Sequence, residues 1–278
     1  MAVTTAQAGV QDSRPPVGEL LRAWRQRRSL SQLELALNAD VSSRHVSFLE
    51  TDRARPSRDM VLHLAEHLEV PLRDRNGLLL AAGYAPQYAE RQLETPEMAP
   101  VREALDRFLR AHEPYPAVVV DRHYNLISGN DALSLLTEGV APELLEPPAN
   151  ALRVTLHPRG MAPRIVNLQE WSGHLLHRLA RQASVTGDPE LERLHDELAT
   201  YPGVSAQPPH DEISGAEIVL PLRLRAGDQE LAFFGTISTF GTAVDITLAE
   251  LSIEAFYPAN AATATRLLQE IGAERGGA

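Results

Sequence analysis

Residues 31–57, SQLELALNADVSSRHVSFLETDRARPS, decide how this chain is read. Ser31-x-x-Glu34 is a capping box: the Ser oxygen accepts a free N–H at a helix start, and the Glu reaches back to the Ser N–H. Leu33, Ala36 and Leu37 are expected to face inward on this helix, and Asn38-Ala39-Asp40 makes a turn. Ser42 then caps a second short helix whose Val46 and Leu49 face the core. Ser43, Arg44 and Ser47 fall on its outer side, with His45 and Phe48 on the flanks and Arg53 and Arg55 in the loop beyond. Two short capped helices across a tight turn form the layout that places one helix in the DNA major groove.

The flanking sequence completes a helical domain. Val17, Leu20, Leu21 and Trp24 recur at i, i+3, i+4 and i+7, and Arg22, Arg25, Arg27 and Arg28 lie off that face or at its end. Downstream, Ser57 caps a helix carrying Met60, Val61, Leu64, Ala65 and Leu68, and a fifth helix with Leu72, Leu78, Leu79 and Leu80 ends at Gly83. We therefore read 15–84 as an all-α five-helix domain behind a frayed tail, 1–14. Its expected DNA contacts are Gln32, Ser42, Ser43, Arg44, His45, Ser47, Arg53 and Arg55. Arg44 can donate twice to a guanine edge, the hydroxyls and Gln32 suit phosphates or bases, and the loop arginines suit phosphates.

Leu21, Arg25, Ser31-Gln32, Leu35-Ala36, Val41-Ser42, Ser47, Glu50 and Arg55-x-Ser57 make the segment resemble the Cro/repressor-like, xenobiotic-response-element family of helix-turn-helix domains. The resemblance implies glycine where this chain has Asp40 and Asp52. Both positions should need φ > 0, which Asp tolerates at a cost of up to about 1 kcal/mol each. Each Asp also sets a negative charge beside the expected phosphates, so nonspecific DNA affinity is expected to be low.

Charge is distributed unevenly. The net charge is −11, yet residues 1–85 hold 11 Arg against 10 acids and the remainder 15 Arg against 27. A near-neutral front with arginine clusters is compatible with DNA binding. All 26 basic residues are Arg, which is read as codon bias of a GC-rich genome rather than as function. The absence of cysteine excludes disulfides and thiol chemistry. No apolar run approaches the roughly 18 residues of a membrane span, and no secretory signal opens the chain. The expectation is a cytoplasmic protein without a membrane partner.

Residues 85–100, with three prolines, read as a linker. A helix over about 98–112 carries Val101, Leu105, Phe108 and Leu109. The period then changes. Strands are expected at 116–121 and 124–128, a helix at Leu133, Leu135 and Leu136, helices over 150–157, 168–185 and 189–200, and strands over 217–225, 229–240 and 243–256. Five strands in one antiparallel sheet, covered by helices, give an α+β, PAS-like domain over 101–273 that encloses a cavity, a usual small-molecule site.

Three segments, LRVTLHPRGMAPRIVNLQEWSGHLLHRLARQ (152–182), Tyr115-Pro-Ala-Val-Val-Val-Asp121 and Phe240-Gly-Thr-x-x-Asp-Ile-Thr-Leu248, resemble the ligand-binding domain of MmyB-like transcription regulators. That resemblance implies a PAS-like domain holding a fatty-acid-like or other small apolar ligand. Trp171 and Phe234 are then candidates to line the pocket. Arg153, His157, Arg164 and His174 are candidates for its polar end, though structural roles are the plainer reading of each.

Other chemistry is sparse. His174-x-x-His177 share a helix face, but zinc needs three or four ligands and no third is evident, so neither metal nor cofactor is expected. Gly235–Gly241 lacks the Gly-Lys-Ser/Thr ending of a phosphate loop, and His210-Asp-Glu reads as solvated loop. No nucleophile with its base stands out, so an enzyme is not expected. The whole reads as a regulator that binds double-stranded DNA as a homodimer and senses a small apolar molecule. The alternative is a C-terminal domain that only dimerises or recruits a partner such as RNA polymerase.

Overall fold

The computed structural model describes residues 15–207 and 219–276, in two compact units that divide between Tyr88 and Ala89. The tail 1–14 and the His210-Asp-Glu loop lie outside the described residues, as do the first two positions of the strand expected at 217–225.

The first unit is five helices: α1 (Val17–Arg27), α2 (Gln32–Asn38), α3 (Ser43–Glu50), α4 (Arg58–His67) and α5 (Leu72–Ala81). The capping box at Ser31 is formed, and Ser42 and Ser57 cap α3 and α4 through His45 N and Met60 N. Leu21, Leu35, Leu49, Leu64, Leu68 and Leu79 are sealed in one core. At Gly18, α1 touches the end of α3 so closely that a Cβ would sit 2.3 Å from Leu49 O. Leu33 and Leu37, expected inside, are instead 59% and 71% exposed. The buried side of α2 is Leu35 and Ala36, continued by Ala39 just past its end, and a seven-residue helix has room for one such stripe only.

Asn76 anchors the end of this unit, accepting from Gln87 N and Tyr88 N at 2.9 and 3.1 Å. Ala89 bridges to Asp245 in the second unit, where Arg91 pairs with the same Asp245 at 2.8 Å. Within the stretch expected to be a linker, Gln87 and Tyr88 therefore pair inside the first unit, and Ala89 and Arg91 inside the second. Satisfied backbone polar groups explain why a proline-rich sequence is ordered here.

The second unit has α6 (Ala99–His112), β1 (Ala117–Val120), β2 (Leu126–Gly129), α7 (Leu133–Thr137), α8 (Ala151–Leu156), α9 (Leu168–Thr186) and α10 (Pro189–Ala199). Then follow β3 (Leu222–Ala226), β4 (Gln229–Thr239), α11 (Ile246–Ala249), β5 (Ser252–Pro258) and α12 (Ala261–Gly276). All strands are antiparallel, in the order β2-β1-β5-β4-β3.

Alternation along the strands divides the sheet into two faces. Val118, Val120, Leu222, Leu224 and Phe233 face a core shared with α8, α9 and α10. Ala117, Val119, Ile253 and Ala255 face a second core beneath α6. Gly187, at φ 67, ends α9 in the left-handed conformation that glycine adopts without strain.

Two local expectations are corrected, and one helix had no expectation. Residues 243–251 are not strand: the Asp245 side chain accepts from Thr247 N and starts α11. Tyr124, at φ 66, belongs to the hairpin turn, where Asp121 Oδ1 accepts from His123 N and Asn125 N. The helix α12, unmarked by any clear apolar period, is positioned by Thr263, whose Oγ1 accepts from Ala232 N at 3.0 Å, and by buried Leu267.

Candidate DNA-reading helix and ligand cavity

The orientation of α3 is set by a buried ion pair. Arg25 donates from Nε to Glu50 Oε1 at 2.6 Å and from its Nη2 to Glu50 Oε2 at 2.8 Å. Its remaining arm donates to Leu30 O at 2.7 Å. The Glu50 hydrogen bond is the main reason the guanidinium is held above its usual range, against desolvation. From α2, Gln32 Nε2 donates to Glu50 Oε2 at 2.8 Å. One carboxylate thereby ties three helices together.

This changes the reading of Gln32. One N–H of its amide is held by Glu50, which leaves its oxygen and second N–H for a ligand. Ser42, Ser43 and Arg44 are exposed at the start of α3, with His45 and Ser47 half-buried behind them. Ser42 Oγ accepts from His45 N, which leaves its hydroxyl proton and one lone pair for a ligand. Arg44 lies over the Phe48 ring, its guanidinium carbon 5.1 Å from the centroid. That stacking restricts a long side chain without using its N–H donors. Arg53 and Arg55 are exposed in the following loop. Asp40 and Asp52 are exposed with φ of 50 and 53, the left-handed turns the resemblance implied.

In the second unit an apolar cavity of about 60 Å³ lies between the sheet and α7, α8 and α9. Val118, Leu126, Leu133, Leu152, Met161 and Leu222 form part of its wall. A second hollow of about 240 Å³ adjoins it, sharing Trp171, Leu175, Glu254 and Phe256, and adds His174 and Arg178. Trp171, His174, Leu175 and Arg178 are one face of α9 at i, i+3, i+4 and i+7.

Of the candidate ligand residues, Trp171 lines both hollows and His174 lines the outer one. Desolvation, followed by Arg178 and His177, holds the His174 imidazole below its usual range. Four other expected residues lie elsewhere. Arg153 is clamped to Glu197 by two hydrogen bonds of 2.8 and 2.7 Å. His157 ends α8, accepting from Arg159 N and packing edge-on to Tyr201. Arg164 donates to Leu135, Leu136, Glu138 and Arg225 carbonyls and so holds the end of α7. Phe234 is on the opposite face of the sheet, stacked on Tyr257 at 5.4 Å. The strand period of two sends Phe233 into the core, Phe234 away from it and Phe256 to the cavity.

Arg178 and Glu254, absent from the sequence expectation, are central here. They pair at 2.8 Å, and the Arg178 guanidinium lies 5.5 Å from the Tyr124 ring centroid. The helical spacing from Trp171 and the strand spacing from Phe256 were the available signals.

Among the described residues, His123, Asp188 and Glu190 bring a metal-type donor set within 4.8 Å. His123 Nε2 lies 2.8 Å from Asp188 Oδ2, and Arg122 lies 3.5 Å from the same oxygen. Burial would raise Asp188, but the His123 hydrogen bond, the Glu190 N–H and Arg122 together hold it below its usual range. A cation already beside the carboxylate makes this an ion-pair cluster rather than a metal centre.

No helix among the described residues is long and apolar enough to cross a membrane. Comparison with curated proteins found no match. The helix-turn-helix family matches residues 21–74. The MmyB-like transcription regulator ligand binding domain matches residues 101–269, more than half of the chain. The chain therefore belongs to the MmyB-like transcription regulators, with a helix-turn-helix DNA-binding domain ahead of their ligand-binding domain.

Proposed function

We propose that this regulator reads a specific operator through Ser43, Arg44 and Ser47 and changes its DNA affinity when a small apolar molecule occupies the cavity against Trp171. The observation carrying the first half is the exposed start of α3, fixed by Arg25, Glu50 and Gln32. The apolar hollow on the Trp171 face of α9 supports the second half. A ligand must bind one conformation or dimer arrangement better than another for DNA affinity to move. The reading includes a homodimer in the cytoplasm, with half-sites about one helical turn apart or a multiple of it.

The inner cavity, at about 60 Å³, is smaller than the roughly 150 Å³ that houses benzene, so side chains must shift to admit a chain-like ligand. That same closeness favours a second reading, in which the domain only dimerises or recruits a partner. Native mass spectrometry of the purified protein separates the two, combined with binding-site selection before and after removal of any co-purified molecule. A bound small molecule whose removal alters operator affinity supports sensing. An empty protein with unchanged operator binding across a library of small apolar compounds rejects it.

A further inference from the structure

Of the three apolar side chains on α3, two belong to the core and one does not. Val46 and Leu49 are sealed into the core of the first unit. Phe48 is half-buried and is not among the apolar side chains packed against that core. The contact its ring makes is with Arg44, one helical turn earlier, whose guanidinium carbon stands 5.1 Å from the ring centroid. A large aromatic side chain on the outer flank of this helix thus serves the arginine rather than the fold.

Arg44 is exposed, and among the described residues its N–H groups meet no acceptor. Other arginines of this unit spend their donors on the protein: Arg25 on Glu50 and Leu30 O, Arg28 on Leu68 O and Glu69 O, Arg75 on Val70 O. An arginine held by its flat face keeps its edge donors for a base, and a guanine edge takes two of them. An unheld arginine has to be ordered on binding, at the cost of its rotamer freedom. The Phe48 backbone has a separate task. Its carbonyl accepts from Arg53 N at 2.9 Å and Ala54 N at 3.2 Å and so shapes the arginine loop. Those two bonds do not depend on the Phe48 ring.

We infer that Phe48 is a positioning residue for operator reading. Its ring pre-orients the Arg44 guanidinium toward a guanine edge, so part of the specificity at that base pair is set by a side chain acting through another. The inference rests on reading Arg44 as a base contact.

The test is a double-mutant cycle on the full chain at fixed salt, read by fluorescence anisotropy. The duplexes are an operator obtained by binding-site selection, the same operator changed at the base pair that Arg44→Ala relaxes, and an unrelated sequence. Phe48→Leu should weaken operator binding about threefold, lower discrimination at that one base pair and leave the unrelated duplex unchanged. Phe48→Tyr, which keeps the ring, should retain both affinity and discrimination. In the Arg44→Ala background, Phe48→Leu should change nothing further. Equal weakening on all three duplexes, or losses that add in the double variant, overturn the positioning role and leave Arg44 as a base contact. Lost discrimination at a different base pair means that Phe48 touches DNA itself, which also overturns it. If Arg44→Ala weakens every duplex alike, the base-contact reading fails and takes the inference with it. Thermal unfolding checks that Phe48→Leu folds, with Phe48→Met as a second ringless variant. If neither folds, Phe48 is structural and the inference is wrong.

Discussion

Arg25 and Glu50 lie 25 residues apart and meet through two parallel hydrogen bonds of 2.6 and 2.8 Å, with the Glu50 side chain only 2% exposed. This pair joins α1, the first helix of the domain, to the end of α3. Removing one partner strands a buried charge, whereas an exposed pair of the same geometry would contribute little.

Glu50→Ala should destabilise the helix-turn-helix unit by about 3–5 kcal/mol, because Arg25 and Gln32 both lose their acceptor. Urea unfolding followed by Trp24 fluorescence measures it. A loss below about 1 kcal/mol would show that the pair is solvated and contributes little.

Arg44→Ala should relax the preference at one operator base pair by about 1–3 kcal/mol, because a bidentate guanine contact is lost there. Arg53→Ala and Arg55→Ala should weaken all sequences alike, each lowering the salt slope by about 1. Uniform weakening from Arg44→Ala would instead identify it as a phosphate contact.

Asp40→Gly and Asp52→Gly should each stabilise the first unit by up to about 1 kcal/mol, since φ of 50 and 53 strains a residue with a Cβ. Both should also raise nonspecific DNA affinity at fixed low salt, through loss of a negative charge near phosphates. Affinity that stays level in filter binding would place these turns away from the backbone.

Glu197 accepts two hydrogen bonds from Arg153 and one from Tyr201. The Arg153 bond is the main cause that holds its carboxyl below 4.5, with burial opposing. A depressed carboxyl stabilises the fold fully above the unfolded value and loses that contribution as pH falls through the folded one. Glu197→Gln should therefore cost about 1 kcal/mol or less at neutral pH, the pair being partly exposed, and less at an acid pH below the unfolded value. Urea midpoints at the two pH values test it, and an equal cost at both would exclude an ionic origin.

Phe256→Ala should enlarge the cavity, lower stability by about 3 kcal/mol and alter small-ligand affinity, while Phe234→Ala should leave that affinity unchanged. The assignment of the two sheet faces fails if titration with hexanamide shows the reverse.

Local interactions made much of this legible without coordinates. The capping box at Ser31 and Glu34 and the caps at Ser42 and Ser57 depend on residues a few positions apart, while the left-handed turns at Asp40 and Asp52 followed from the family resemblance. The strand period likewise implied a sheet with two faces. Leu33 and Leu37 defeated the same logic, because a short helix offers apolar residues on more than one side and its neighbours choose the stripe.

The sequence by itself determined two domains, a helix-turn-helix and an antiparallel sheet under helices, since capping, turn chemistry and hydrophobic period are local properties. Tertiary structure alone decided which polar groups face which. It clamped Arg153 to Glu197 and spread Arg164 over four carbonyls, removing both from the cavity. It put Phe256 rather than Phe234 on the cavity face, and joined Arg178 to Glu254 across 76 residues beside Trp171. Hydrogen bonds and charge pairing act over a few ångströms in space, and separation along the chain carries no record of that distance.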